Sequence, residues 1–326
     1  MLLRHIPKEH LNETEYYCIK TLSEFKPTNE ESIEHLIKII FNATQDFEFV
    51  SLKDSNNICI SLESISRKLQ TQNERHELIE ILVSAEANYR GKNIEGLAAQ
   101  IENIATYLNL DDDCLSLSRN IAKQSKDKAY EDWIRHNWST NNQFEDSGQK
   151  QITARFHDVL SKTIIVHKED DELITKMKGL STAPANSIGQ KLWAFIQDHH
   201  FTLPGLYGGA SSTLQRHDWI HVIGDYETDF IGELECAAFG ATSSNEPGAN
   251  LWFIGMIAMM AGQFDIGTDM SNMQETINVN FKDSQIQKRL TKAIKRGKGS
   301  KVDLLSIDFF EISHEPIDEI KDRFGI

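Results

Sequence analysis

The sequence predicts an all-α protein made of two helical domains. Apolar residues recur at helical spacing through most of the chain, and polar segments with Gly or Pro separate these runs. In residues 27–46, the apolar positions at helical spacing are Ile33, Leu36, Ile37, Ile40 and Phe41. Thr28 is the predicted N-cap of this helix, and Glu31 three residues later would complete a capping box.

The predicted domain boundary is a polar segment near the middle of the chain. Residues 1–138 form the predicted first helical domain, with further helical patterns at 75–92 and 93–110 and another at 128–140 that reaches the linker. A β-favourable stretch around Val50 and Cys59 indicates a small hairpin. Residues 139–151 are polar, lack apolar periodicity and form the predicted linker. Residues 152–326 form the predicted second helical domain.

Composition excludes several classes of function. The 326 residues carry a net charge of −15, which argues against a nucleic acid partner, because phosphate binding needs a basic face. The longest apolar run, 251–261, is too short for a bilayer span of about 20 residues. The N-terminal residues lack the apolar core of a signal peptide. A cytoplasmic location is therefore predicted, with peripheral contact to the inner membrane face as an option.

The cysteines are Cys18, Cys59, Cys114 and Cys236, and no two have C-x-x-C spacing. They therefore indicate neither a thiolate zinc site nor a disulfide framework, and they suit a reducing compartment.

A metal site is predicted from residues 216–239, RHDWIHVIGDYETDFIGELECAAF. If 217–223 is helical, His217, Asp218 and His221 fall within one arc of about 100°. The two histidines then stand one turn apart, about 6 Å along the axis, which is the spacing by which a helix offers two imidazoles to one ion. The alternative is a chance pair of histidines with a surface hydrogen bond to the Asp.

Glu233 is the predicted ligand from a second helix. Gly224 and the polar residues 225–229 allow the chain to turn back, and Gly232 then places Glu233 in the first turn of the next helix. Burying two histidines and two carboxylates among apolar residues is costly unless a cation neutralises them. Two histidines with one or two carboxylates suit Zn²⁺, or Fe²⁺ or Mn²⁺ with open positions.

The pattern His217-Asp218-x-x-His221, followed by eleven residues and Glu233, resembles the H-D-x-x-H-x11-E signature of the coenzyme Q biosynthesis protein four family. The resemblance extends over about 150–326, including the segment 180–200 and the C-terminal end. It implies an all-helical fold, with His217, Asp218, His221 and Glu233 holding a zinc or iron ion, and a lipophilic quinone precursor as ligand. It further implies either oxidative decarboxylation with hydroxylation of the ring or an organising role among other biosynthetic enzymes. If the protein is catalytic, Asp218 and Glu233 are the predicted catalytic groups.

Residues 85–110 in the first half are similar to the TerB-like helical domains associated with tellurite resistance. A second domain fused to the metal signature would indicate a specialised relative of the quinone-biosynthesis proteins.

Two further segments are candidate contact surfaces. Residues 249–264 are apolar nearly all round, and Trp252, Phe253, Met256 and Met260 would line the binding site of a prenyl chain; the alternative is an ordinary buried core helix. Residues 282–301 carry eight basic residues and one acidic residue, which predicts contact with anionic lipid headgroups or an acidic partner, or else a solvated helix face.

Three functions remain open at this point. The first is a metal-dependent protein that holds or modifies a hydrophobic aromatic or prenylated small molecule. The second is an HD-type metal phosphohydrolase, for which His157 or His167 and Asp265 or Asp269 would have to complete the site. The third is a non-catalytic lipid-binding scaffold with a structural metal. A homodimer, or assembly with other biosynthetic enzymes, is compatible with the first and third.

Overall fold

The structure, a computed structural model, describes residues 5–43, 60–110, 115, 168–207, 209–244, 253–254, 256–257 and 280–326. Within these ranges the chain forms eleven α-helices and two short 3₁₀ helices, and it has no β-strand beyond an isolated bridge between Ser187 and Pro316. The prediction of an all-α fold is confirmed. None of the described helices is both long and apolar enough to cross a bilayer.

The first half of the chain contributes five α-helices after a 3₁₀ turn at Lys8–His10. These helices are α1 (Leu11–Ser23), α2 (Glu30–Asn42), α3 (Leu62–Lys68), α4 (Gln72–Ala87) and α5 (Ile94–Tyr107). The apolar face predicted for 27–46 is confirmed, since the five apolar residues named for it are buried in α2.

The second half contributes six α-helices and a 3₁₀ turn at Leu180–Thr182. These helices are α6 (Asp171–Gly179), α7 (Ile188–Asp198), α8 (Ser212–Gly224), α9 (Phe230–Ser243), α10 (Ser284–Gly299) and α11 (Ile317–Phe324). The site residues lie on α8 and α9, with α7 and α10 packed beside them.

The predicted capping box at the start of α2 is wrong. Asn29 is the N-cap, and its side chain makes no cap hydrogen bond. Thr28 instead hydrogen-bonds to the Arg90 carbonyl through its backbone N and its Oγ1, at 2.6 and 3.1 Å, and Glu31 pairs with Lys282. Contacts with residues distant in sequence therefore replace the local cap. A complete capping box occurs at α4, between Thr71 and Glu74.

The basic segment predicted at 282–301 forms α10, and one of its faces belongs to the core. Leu290, Ala293, Ile294 and Gly297 are buried in this helix, which packs against α9 and α2. Three of its lysines, Lys288, Lys292 and Lys295, are exposed. Membrane contact through this segment stays a prediction.

The two halves of the chain touch one another through α2 and α10. Gln287 Nε2 lies 3.0 Å from His35 Nδ1, and Lys282 forms its ion pair with Glu31. The predicted linker 139–151, the hairpin around Val50 and Cys59, and the helix at 128–140 lie outside the described residues. The two-domain division and the TerB-like likeness of the first half therefore stay predictions.

Glu15 on α1 gives this half of the protein a testable pH dependence. Burial raises the pKa of Glu15 to about 7, with Lys38 opposing the shift. The folded state therefore favours the protonated carboxyl, so the stability it contributes is full below about pH 4.5 and is lost as the pH rises through 7. We expect Glu15→Gln to reduce the loss of unfolding free energy between pH 5 and 8, by on the order of 2 kcal/mol.

Urea unfolding of the wild type and Glu15→Gln at both pH values measures this difference. Glu9→Gln, at an exposed position in the preceding 3₁₀ turn, is the control. An equal pH dependence in the wild type and Glu15→Gln would contradict the prediction.

Candidate metal centre

Helix α8 supplies two imidazoles that face the same side. His217 and His221 are one turn apart, as their spacing predicts. The helix is held in the core by Trp219, Ile220 and Ile223, all buried, and the Trp219 ring stacks on Phe309 with centroids 5.5 Å apart. These apolar contacts fix the position from which the two histidines project.

A short turn at 225–229 brings the chain back from α8 into α9. Asp225 has a positive φ of 54°, and Asp229 is the N-cap of α9, since its Oδ1 accepts a hydrogen bond of 2.7 Å from the Gly232 backbone N. A Cβ on Gly232 would lie 2.0 Å from the Glu227 carbonyl oxygen, so only glycine fits there. Glu233 then occupies the first turn of α9, as predicted.

The donor atoms of α8 and α9 converge. The Nε2 atoms of His217 and His221 are 2.8 Å apart, and the Glu233 carboxylate lies 2.9 Å from the first and 3.4 Å from the second. Two donors at about 2.1 Å from an ion in tetrahedral geometry are roughly 3.4 Å apart. The three spacings are therefore close to those that one ion imposes on its ligands.

Cys236, one turn after Glu233 on α9, also faces the two histidines. The donor atoms of His217, His221 and Cys236 all lie within 4.8 Å of one another, so this group could hold a metal ion. Glu233 is outside that group of three, although it meets both imidazoles. The arrangement thus offers two candidates for a third ligand, a carboxylate and a thiolate.

Cys236 is absent from the ligands predicted from the sequence, because only the spacing between cysteines was considered there and not their spacing from Glu233. The available signal is the spacing of Glu233 and Cys236, three residues apart in a predicted helix, which places both side chains on one face.

Asp218 occupies a different position from the other predicted ligands. Its Oδ1 lies 3.7 Å from Nδ1 of His217, the ring nitrogen that points away from the converging atoms. This distance is longer than a hydrogen bond, so the contact is electrostatic, and a carboxylate beside that nitrogen raises the basicity of the imidazole. The roles predicted for Asp218, as ligand and as catalytic group, stay predictions.

Tyr226 orients the second imidazole. His221 Nδ1 lies 3.1 Å from the Tyr226 carbonyl oxygen, and an Nδ1–H is the donor that such a contact requires. With the proton on Nδ1, the Nε2 lone pair of neutral His221 points at His217 and Glu233. This is the tautomer that a metal ligand needs.

The electrostatics of the cluster favour a cation among anionic donors. Burial alone would lower the pKa of His221, but the Cys236 sulfur and the Glu233 carboxylate together outweigh burial and raise the pKa to about 10. Burial alone would raise the pKa of Glu233, but His217 and His221 lower it to about 2. The pKa of Cys236 is lowered by the same two histidines against the effect of burial. A divalent ion would take the place of the imidazole protons.

Solvent reaches the cluster at His217 and Glu233 but not at His221. The His221 side chain is 0% exposed, whereas those of His217 and Glu233 are 18% and 15% exposed. Phe195 of α7 stacks on the His221 ring with centroids 5.8 Å apart, and beyond it Phe201 is 45% exposed. An aromatic surface formed by Phe201 and Phe195 therefore extends from solvent to the ring of His221.

The residues predicted to line a prenyl site are only partly described. Phe253 and Met256 are buried, whereas Trp252 and Met260 lie outside the described residues. The four residues considered for a phosphohydrolase also lie outside the described residues: His157, His167, Asp265 and Asp269.

Comparison with known proteins adds little. No family model matches the chain, and no curated protein matches it. A crystal structure from Nostoc punctiforme, of a protein provisionally described as a ubiquinone biosynthesis protein, is 14% identical with a TM-score of 0.33. That match covers 78% of this chain and 99% of the other. A likeness at this level carries no argument, so the functional proposal rests on the residues of this chain.

Proposed function

We propose that this protein is a metal-dependent protein of the ubiquinone-biosynthesis type, which holds one divalent ion between α8 and α9 and acts on a hydrophobic aromatic or prenylated small molecule. The observation that carries the proposal is the meeting of His217, His221 and Glu233 at 2.8–3.4 Å. The motif resemblance supports the choice of substrate class.

The donor set fits a divalent transition metal. Two imidazoles and a carboxylate with room for further ligands is the combination that suits Fe²⁺, and the same residues suit Zn²⁺. When bound, the ion supplies a Lewis acid for a substrate oxygen, and iron adds redox chemistry.

Each protein group has a stated task in this proposal. His217, His221 and Glu233 bind the ion, the negative charge of Asp218 raises the basicity of His217, and the Tyr226 carbonyl fixes His221. In the reaction proposed, a ring carboxyl leaves as CO₂ and is replaced by a hydroxyl from water, and dioxygen takes up the two electrons and leaves as hydrogen peroxide. The proposed contacts for the lipophilic chain are Trp252, Phe253, Met256 and Met260. The exposed lysines of α10 are the proposed contact with anionic lipid.

Metal analysis by mass spectrometry tests this proposal on protein purified without chelator. We expect about one equivalent of zinc or iron per chain. Iron-loaded protein should then release CO₂ from a prenylated aromatic carboxylic acid in the presence of dioxygen. Protein that binds no divalent metal, even after incubation with zinc and with ferrous iron under argon, would exclude the function.

A second candidate, favoured by the position of Cys236, is a non-catalytic scaffold with a structural zinc ion. Thiolate ligands select zinc, and structural zinc sites have four protein ligands and no open position. Cys236 beside both histidines gives this reading its support.

Metal removal discriminates between the two functions. A structural ion contributes to folding, so a chelator would unfold the scaffold, whereas it would only inactivate an enzyme. Cys236→Ser should reduce the zinc content if the protein is the scaffold, and should leave the iron content unchanged if it is the enzyme. Glu233→Gln should reduce the iron content if it is the enzyme.

A further inference from the structure

We infer that Arg296 of α10 is a positioning residue for the metal centre, acting on His221 through Tyr226. The inference rests on the proposed metal function and adds to it a residue on a helix that supplies none of the ligands discussed above.

Tyr226 contacts both the backbone and the side chain of His221. The Tyr226 backbone N donates to the His221 carbonyl at 3.0 Å, and the Tyr226 carbonyl accepts from His221 Nδ1 at 3.1 Å. The orientation of the imidazole and the nitrogen that carries its proton therefore both depend on where residue 226 sits. The loop 225–229 has to be held in place for this to work.

Arg296 supplies that anchor. Its Nη1 donates to the Gly224 carbonyl at 2.5 Å, at the C-terminal end of α8, and to the Tyr226 hydroxyl at 3.1 Å. A cation at a helix C-terminus is favourable because it meets the negative end of the helix dipole. The guanidinium also lies 5.4 Å from the Tyr226 ring centroid and 5.1 Å from that of Phe239 on α9.

The packing around the Tyr226 ring leaves it little freedom. A Cβ on Gly224 would lie 2.3 Å from the ring, and the ring meets Phe239 edge to face with centroids 5.5 Å apart. The ring is therefore enclosed by Arg296, Gly224 and Phe239. Loss of the guanidinium removes its contact with the ring and its two hydrogen bonds. The loop then loses the contacts that set the distance between the Tyr226 carbonyl and His221.

Cobalt(II) titration with visible spectroscopy tests the inference, since cobalt reports both affinity and ligand geometry. We expect Arg296→Met to weaken cobalt binding by about 10- to 100-fold and to alter the spectrum of the bound ion, as loss of an outer partner does. Arg296→Lys, which retains the charge and a donor, should recover part of both. Lys178→Met, which removes an exposed cation on α6, should bind as the wild type does.

A purely structural role for Arg296 would lower the thermal midpoint and leave the spectrum and affinity of folded protein unchanged, and that result would overturn the inference. If Arg296→Met does not fold, Tyr226→Phe replaces it, because this variant loses only the hydroxyl that Arg296 holds. Wild-type affinity and spectrum in Tyr226→Phe would equally overturn the inference. A wild-type protein that binds no cobalt would instead refute the proposed function itself.

Discussion

His221→Ala is expected to abolish stoichiometric metal binding. The His221 side chain is fully buried, and its Nε2 lies within 3.4 Å of both His217 Nε2 and the Glu233 carboxylate, so the substitution removes a donor from the centre of the cluster and leaves a methyl group in its place. The effect should exceed the roughly 100-fold at the upper end of what loss of an outer partner costs. Metal content after purification and isothermal titration with zinc measure it.

The control for His221→Ala is His314→Ala, which removes an exposed histidine at a distant position in the sequence. Added metal should raise the thermal midpoint of the wild type and of His314→Ala, because an ion that binds only the folded state stabilises it, and should leave that of His221→Ala unchanged. Equal metal content in His221→Ala and the wild type would show that the ion binds elsewhere in the chain.

The pH dependence of binding follows from the same geometry. Because the pKa of His221 is raised to about 10 when no ion is bound, the ion has to displace a proton from the cluster at neutral pH. The affinity for the metal ion therefore increases with rising pH, and protons are released when the ion binds.

The core of the candidate site could be predicted because its spacing is local. His217 and His221 are four residues apart on one helix, and Glu233 lies in the first turn of the next. Helical geometry pairs the two histidines, and the short turn at 225–229 brings Glu233 beside them. Asp218 is adjacent to His217 and shares the predicted arc, yet its carboxylate faces the opposite nitrogen of that histidine. Side-chain rotation, which spacing does not specify, decides which atoms converge.

Other features depend on contacts between distant parts of the chain, which spacing within one segment cannot reveal. The cap of α2 was misplaced because Thr28 and Asn29 bond to residues 88–90. The charge of 282–301 predicts a contact surface, although its buried residues Leu290, Ala293, Ile294 and Gly297 have helical spacing. An amphipathic pattern predicts that such a face is covered, and only the fold identifies α9 as the helix that covers it.

Gly297→Ala is expected to be among the most destabilising single-methyl additions in the described part of the chain. A Cβ at this position would lie 2.2 Å from Thr242 Oγ1 and 2.4 Å from the Phe239 carbonyl oxygen, both on α9. Thr242 Oγ1 bridges the two helices, with the Ile294 carbonyl at 3.3 Å and the Ala238 carbonyl at 2.6 Å. The backbones of α9 and α10 must therefore separate, at a cost of about 3 kcal/mol.

Gly299→Ala, two residues further along α10, provides the matched control, because the nearest atom to its added Cβ is 3.9 Å away. Its effect should lie within about 1 kcal/mol and towards stabilisation, since alanine has the higher helix propensity. Urea unfolding followed by far-ultraviolet circular dichroism compares the two. Since α9 carries Glu233 and Cys236, separation from α10 should also weaken cobalt binding in folded Gly297→Ala. Equal urea midpoints for the two variants would mean that α9 and α10 yield easily at this contact.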